Sequence, residues 1–375
     1  MKLRSLHLKN FRTYESLDLS FSSRLSFLTG PNANGKTNIL EAIGMLSLGK
    51  SFRGSTDEDM VRRGESGYYV ECRYEKDGQE FEINLGVDYS GNKTRRRIKL
   101  NGKQLPGRSA LIGQIISVIF SPQDIMIAEG GPSYRRRFLD MVLSYQNQDY
   151  LKQLLQYNRA LRQRNTILKK MKSGKARLDQ LQAWDGPIVD YATRITKARQ
   201  EFVREFESIF QDALGRISGD RDELSMRLGY TSDLEENDFA AALKKYATRD
   251  AAIGYTSVGP HRQNLLFERE GLDIMRFGSQ GQKRSLVLAL RIAQFSFLEK
   301  SLRLAPVLLI DDVIRELDAR RRAAFVELLK ECGQAIFTTP DLDGLDAHPE
   351  LRKDISVFHV ASPGRIEARD LDASN

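Results

Sequence analysis

The chain has 375 residues, a formal net charge of +8, 41% hydrophobic residues and 29% charged residues. This is enough polypeptide for two or three cored domains, and it holds no apolar run long enough to cross a bilayer. Two isolated cysteines (Cys72, Cys332), four scattered histidines and a charged N-terminal stretch argue against a disulfide framework, a zinc cluster and a signal peptide, so a reduced, cytoplasmic setting without a membrane is expected.

In chain order, "RLSFL" reads as a strand, "TGPNANGKT" as a glycine-rich loop, and "NILEAIGMLSLG" as a helix with Ile39, Ile43 and Leu46 on one face. Residues 68–120 predict an antiparallel β section. "YYVECRYE", "EFEINLGVD" and "RRIKLNG" are separated by turns at Asp77-Gly78 and Asn101-Gly102, and "QIISVIF" is read as a further strand of the same section. From about 146 to 217 the period becomes helical: Leu151, Leu154, Asn158, Leu161, Asn165 and Leu168, then Leu181, Trp184, Ile188, Tyr191, Ile195, Ala198 and Phe202. With the breaker "KSGK" between them, these predict two antiparallel helices, either a short arm or an amphipathic pair within a globular lobe. "PVLLIDD" then reads as a buried parallel strand, "AFVELLKECG" as a helix, "QAIFTT" as a strand and "SVFHVASPGRIEAR" as a closing hairpin. The fold class expected is α/β, a P-loop head with an inserted antiparallel β section and helical arm. Its segments are 1–120 (P-loop and β section), 121–260 (helical insertion) and 261–375 (the C-terminal part of the head).

The loop Gly30, Pro31, Asn32, Ala33, Asn34, Gly35, Lys36, Thr37 matches the phosphate-loop pattern, in its required strand–loop–helix setting. Glycines let backbone N–H groups turn onto phosphate oxygens, Lys36 reaches the outer phosphates, and the Thr37 hydroxyl suits Mg²⁺. Asn38 follows at the helix start. Asp311, closing an apolar strand, has the place of the acid that serves the cation. Asp312 either orients the attacking water or caps the next turn. "FGSQGQKRS" places Ser279 and Gln282 at the start of an apolar helix (Leu286, Ala289, Leu290, Ala293, Phe297), a second anion-binding turn. One nucleotide has little use for two such helix starts from one chain. Two chains facing head to tail do, and Asp318 of "DDVIRELD" would then sit by the interface.

In this order these motifs resemble the ABC-type ATPases of chromosome maintenance, with the SMC proteins as cousins, and more closely the bacterial RecF family. The stretches carrying the resemblance are "LHLKNFRTYESLDLSF", "GPNANGKTNILEAI", "GKSFR", "FSPQDIMIAEGGPSYRRRFLD", "VGPHR", "GSQGQKRS" and "LLIDDVIRELD". The resemblance implies ATP and Mg²⁺ as cofactors and an ATP-dependent homodimer. It implies sequence-independent DNA binding at duplex and single-strand gaps, and RecO and RecR as partners in loading RecA during recombination and gap repair. Carried over, Gly30–Thr37 binds phosphate, Asp311 serves Mg²⁺, Ser279 reaches the γ-phosphate of the facing chain, and Gln123 falls in the metal-sensing loop. Thr338 and Thr339 stand where transporter ATPases have a histidine, and a hydroxyl there can at most donate a hydrogen bond. Two positions depart from the pattern: Asp312 where many such ATPases have Glu, and Arg315 where a serine is usual.

Hydrolysis is expected to be slow and DNA-stimulated, acting as a switch. Candidates for DNA contact are Arg62 with Arg63, Lys93 with Arg95, Arg96 and Arg97, and Arg135 with Arg136 and Arg137, although clusters of this kind are more often solvated faces or structural salt-bridge sets than phosphate clamps. His261 is expected to be structural. The competing readings are the ATPase subunit of a transporter and a nuclease-linked ABC ATPase.

Overall fold

The structure, a computed structural model, describes residues 1–90, 93–218, 225–231, 239–314, 317–341 and 354–369. Arg315 lies outside the described residues. The chain opens with the antiparallel pair β1 (Lys2–Phe11) and β2 (Tyr14–Ser20). A register shift between Leu3 and Ser5 breaks the two-residue period, so that Leu3 and Leu6 are both buried. After β3 (Leu25–Thr29) comes α1 (Lys36–Leu48). Its expected apolar face is wrong in width: nearly every residue from Asn38 to Leu48 is buried, because this helix runs through a core.

β4 (Gly67–Lys76), β5 (Gln79–Ser90), β6 (Lys93–Leu100) and β7 (Lys103–Gln104) extend the N-terminal pair into a six-stranded antiparallel sheet, order β2-β1-β4-β5-β6-β7. Both expected hairpin turns are present, with positive φ at Asp77 and Gly78 and at Asn101 and Gly102. Val70, Cys72 and Tyr74 face inward, and the residues between them face outward, as strand alternation requires. β8 (Ser117–Phe120) corrects the reading of "QIISVIF". It leaves this sheet and pairs in parallel with the strand that ends in Asp311. Four consecutive buried residues mark a strand covered on both faces.

Three long helices follow: α2 (Pro132–Gln146), α3 (Gln148–Lys172) and α4 (Gln182–Ile217). Asn147 caps α3 by accepting the N–H groups of Asp149 and Tyr150. Gly174, at φ 71°, turns the chain after its last residues. The helix pair packs with α2, with α5 (Phe239–Ile253) and with a small sheet, order β11-β10-β9, made of β9 (Arg227–Thr231), β10 (Asn264–Arg269) and β11 (Leu272–Asp273). The expected seam holds at Leu151, Leu161, Leu168, Leu181, Ile188, Ile195 and Phe202, all buried, and departs at other positions. Leu154, Asn158 and Asn165 are half-buried, and Tyr157 and Arg164 are inside. Arg164, fully buried, is held by Asp185 (2.8 Å), Asp250 (2.9 Å) and the Thr256 hydroxyl (2.8 Å). Arg199 is likewise internal, bound to Asp140 (2.7 Å) and the Pro260 carbonyl (2.8 Å).

α6 (Gln280–Leu302) leads to β12 (Val307–Asp311), α7 (Ala319–Glu331), β13 (Ala335–Thr338) and the hairpin β14 (Ile355–Ser362) and β15 (Arg365–Arg369). With β3 and β8 these strands make a second six-stranded sheet, order β15-β14-β3-β13-β12-β8, parallel except at β15. By packing, the chain forms two units, Met1–Asp124 with Gln294–Asn375, and Ile125–Ala293. The second boundary falls inside α6 and not at 261, because β10 and β11 pair with β9.

His261 sits within the second unit. Its Nε2–H donates to the Thr256 carbonyl (3.0 Å), and Nδ1 accepts the Tyr157 hydroxyl (2.6 Å). Both ring nitrogens are satisfied in the neutral form, and burial lowers the imidazole from 6.5 to about 4. Between these values the unfolded chain binds the extra proton. Stability contributed by this residue is therefore complete above pH 6.5 and falls as pH drops towards 4, by at most about 3 kcal/mol. Urea midpoints measured from pH 7 to pH 4.5 should fall more steeply for the wild type than for His261→Asn.

Candidate nucleotide site

The parallel sheet brings the carboxyl ends of β3, β12, β13 and β8 to one edge, where open α/β sheets hold their ligands. β3 delivers the loop Gly30–Gly35. Gly30 has φ 124°, and a Cβ there would stand 2.4 Å from the Val360 carbonyl oxygen. Gly35 has φ 102°, with the Thr13 hydroxyl 2.6 Å from where its Cβ would be. Neither position admits another residue without moving backbone or a packed side chain. Asn34 ties the loop to β14 by donating to the Val360 and Ala361 carbonyls, both at 3.1 Å. Pro31, Asn32 and Ala33 are exposed at its crest. Lys36 is buried, its ammonium donating to the carbonyls of Gly30 (2.5 Å) and Pro31 (2.9 Å). A cation inside a loop that opens onto a helix N-terminus is an arrangement for phosphate.

Thr37, one residue on, donates its hydroxyl to Asp311 Oδ1 at 2.6 Å. The same oxygen accepts the Thr338 hydroxyl from the adjacent strand at 2.8 Å. Asp311 is 6% exposed. Its carboxylate is thus aimed by one group on α1 and one on β13, and the Thr37 and Asp311 oxygens are the hard donors that a small divalent cation takes from protein when phosphates and water supply the rest. Asp312 follows with φ 52°, its N–H donating to the Thr338 carbonyl at 3.2 Å. A left-handed aspartate costs of the order of 1 kcal/mol, and such outliers gather at functional sites. Gln123 lies exposed just beyond β8, the strand beside β12, at the same sheet edge. Thr339 accounts for its hydroxyl by donating to the Asp341 carbonyl at 2.8 Å.

Other residues expected at the site are held differently. Asn38 is turned behind the loop, donating to the Thr13 hydroxyl (3.2 Å) and accepting from Arg53 (3.4 Å). Asp318 caps α7, accepting the Arg321 N–H at 2.9 Å, and this hydrogen bond lowers its carboxyl below the usual range. In the second unit, Ser279 and Gln282 form a reciprocal cap at the start of α6. The Ser279 hydroxyl accepts the Gln282 N–H (3.2 Å), and the Gln282 side chain accepts the Ser279 N–H (2.8 Å). Ser279 keeps its own hydroxyl proton to donate. Gln280 reaches Glu129 at 2.9 Å.

One buried cluster lies outside the residues that the sequence motifs mark. Glu41 on α1, fully buried, accepts two hydrogen bonds from Arg12 (2.9 Å each) and one from Ser51 (2.5 Å), with Arg53 at 3.6 Å. It joins the turn after β1 and the segment after α1 to the back of the phosphate loop. A lone glutamate in the apolar run of α1, and arginines in "NFRTYES" and "GKSFR", were the available signal.

The basic candidates separate. Arg135 is corrected: it is buried, with its guanidinium on the carbonyls of Ile127 (3.1 Å) and Gly130 (2.8 Å) and on Asn264 (2.9 Å). Arg136 binds the Gln263 carbonyl, Arg137 is half-buried, Arg96 pairs with Asp57, and Arg62 pairs with Glu15 and Glu65. Arg63, Arg95 and Arg97 are exposed, the last two on the outer face of the strand that Lys93 begins.

These features define a P-loop ATPase head of the SMC kind, and the comparisons agree. Residues 2–347 match the family described as the RecF/RecN/SMC N terminal domain. The DNA replication and repair protein RecF of Leptospira interrogans is 41% identical over 98% of this chain and 100% of its own length. The solved recombination mediator RecF with ATP, in the RecFOR pathway, has a TM-score of 0.86 at 31% identity, covering 98% of both chains. An SMC head from Pyrococcus furiosus shares the fold at TM-score 0.55 and 18% identity, over 100% of this chain and 97% of its own. The chain belongs to the RecF family of DNA replication and repair proteins. That membership sets aside the transporter and nuclease-linked readings, and no helix among the described residues is long and apolar enough to cross a membrane.

Removing the Glu41 carboxylate leaves the Arg12 guanidinium without its buried counter-ion. Glu41→Ala should lower unfolding free energy by about 3–5 kcal/mol in denaturant titration, and Glu41→Gln, which keeps an acceptor, by less.

Proposed function

We propose that the chain is an ATP-gated DNA clamp in which nucleotide closes two copies head to tail. The observation that carries this reading is the Thr37–Asp311 contact of 2.6 Å at the mouth of the phosphate loop. Gly30–Thr37 takes the phosphates of ATP, and Lys36 exchanges its loop carbonyls for phosphate oxygens. Thr37 and Asp311 hold Mg²⁺, which when bound neutralises charge on the outer phosphates. Gln123, exposed at the same sheet edge, is assigned as a further ligand of that cation. Asp312 aligns the attacking water and takes its proton. Its side chain is one methylene shorter than glutamate, and this supports slow turnover. Ser279 of a second copy donates its hydroxyl proton to the γ-phosphate while Gln282 keeps the turn in shape, and Asp318 lies near that interface.

Hydrolysis then opens the pair, so ATP acts as a timer. DNA is held through phosphates without base reading, with Arg63, Arg95 and Arg97 as exposed candidates. RecR and RecO act with the chain at single-strand gaps in loading RecA.

Ser279→Arg should bind ATP as the wild type does but stay monomeric in sedimentation with ATP. Full dimerisation of this variant would sink the trans assignment. Asp312→Asn should trap an ATP-bound dimer and slow hydrolysis at least about 100-fold. A wild-type hydrolysis rate would remove Asp312 from the mechanism.

A further inference from the structure

We infer that the turn end of the α3–α4 helix pair is a second nucleic-acid contact, one that grips backbone phosphates through lysines and a single-stranded base through Tyr255. The inference rests on the DNA reading above and deepens it.

Between Asn165 and Gln180 the chain carries Lys169, Lys170, Lys172, Lys175 and Arg177 against one acid, Asp179. All five cations are exposed. Asp179 lies 3.9 Å from Arg177, and none of the four lysines has an ion pair among the described residues. Elsewhere on this unit, Lys152 is matched by Asp149 at 2.9 Å and Arg227 by Glu207 at 4.0 Å, and single exposed cations such as Arg159 and Lys197 stand without an ion pair among the described residues; the turn differs in gathering five cations within nine residues.

Basic residues at a helix C-terminus have an ordinary use, since the free carbonyl end carries about half a negative charge. Two helices end here. The turn after α5 packs on α3, with Gly254 so close that a Cβ on it would stand 3.4 Å from Lys172 and 3.8 Å from Lys169. Two helix ends account for about one of the cations. The remainder repel one another at distances within a Debye length, about 8–10 Å in physiological salt. A dense, unpaired positive surface of this kind suits a polyanion.

The residue after Gly254 adds the second feature. Tyr255 is 44% exposed, and the Arg262 guanidinium lies 4.9 Å from its ring centre. Its segment is fixed: Thr256 donates both its N–H (2.8 Å) and its hydroxyl (2.7 Å) to Asn165 of α3. An aromatic ring held in place beside a basic track is how sequence-tolerant single-strand binders stack bases. An acidic protein surface would use the lysines but not the ring, so the nucleic acid is the better fit.

The test is fluorescence anisotropy on single-stranded, duplex and gapped DNA across a salt series, with ATP, using the full chain. Lys169→Gln/Lys172→Gln/Lys175→Gln should weaken binding at least about tenfold and reduce the log–log salt slope by about two. Tyr255→Ala should weaken single-stranded and gapped DNA at least about fivefold and leave duplex nearly unchanged. Both variants should still dimerise with ATP. Unchanged affinity and slope in the triple variant, with wild-type DNA binding intact, would overturn this site alone. A wild type that binds no DNA would overturn the DNA reading and this inference with it. Unchanged DNA binding with lost binding to poly-glutamate would assign the turn to an acidic protein and overturn the proposal.

Discussion

The site depends on one carboxylate oxygen with two donors. Asp311 Oδ1 accepts from Thr37, the first turn of α1, and from Thr338, the last residue of β13. These bonds tie the phosphate loop to two strands that are distant in sequence, and they do so where the sheet ends. The packing beneath makes the tie rigid. β12 is buried along its whole length between β8 and β13, so the position of Asp311 is fixed by backbone ladders on both sides. The loop itself is fixed by glycines that cannot be replaced and by Asn34 on β14. On the proposed reading, the cation site is therefore preorganised, and ATP does not have to build it.

Charge is handled differently in the two units. Around α1, Glu41 is fully enclosed and answered by Arg12, Ser51 and Arg53. In the second unit, Arg164 and Arg199 lie inside with Asp185, Asp250 and Asp140 as counter-ions. Pairs of this kind give little net stability but are costly to break from one side. They hold one arrangement of the loop that precedes β10, and that loop runs on through β11 to Ser279. The proposed contact in trans needs such a fixed geometry, because a hydroxyl misplaced by an ångström donates to nothing.

Much of this was legible in the residues. The P-loop, the acid at the end of "LLID", the paired helices and both I′ turns follow from local rules that do not depend on the rest of the fold. What local rules missed has a common cause in tertiary placement. "QIISVIF" is apolar whichever sheet it joins, and only the partner β12 makes it parallel. Tyr157 and Arg164 do not count as apolar, yet they form the helix seam because buried acids and His261 meet them there. Arg135 to Arg137 look like a basic patch in sequence, but a helix distributes three consecutive residues around its axis, and Arg135 falls inward. Ser279 was legible as a helix start and a second anion site. What a single chain does not contain is the copy on which that serine is proposed to act.

On the proposed reading, Thr37 and Asp311 together hold the divalent cation that accompanies ATP. Electron paramagnetic resonance of Mn²⁺ titrated into protein with ATP measures this directly, because bound and free Mn²⁺ give separate signals. Uptake should be tight for the wild type only when ATP is present, and at least about tenfold weaker for Asp311→Asn, which keeps the side-chain size but loses the charge. Equal Mn²⁺ affinity for the two proteins in the presence of ATP would contradict it.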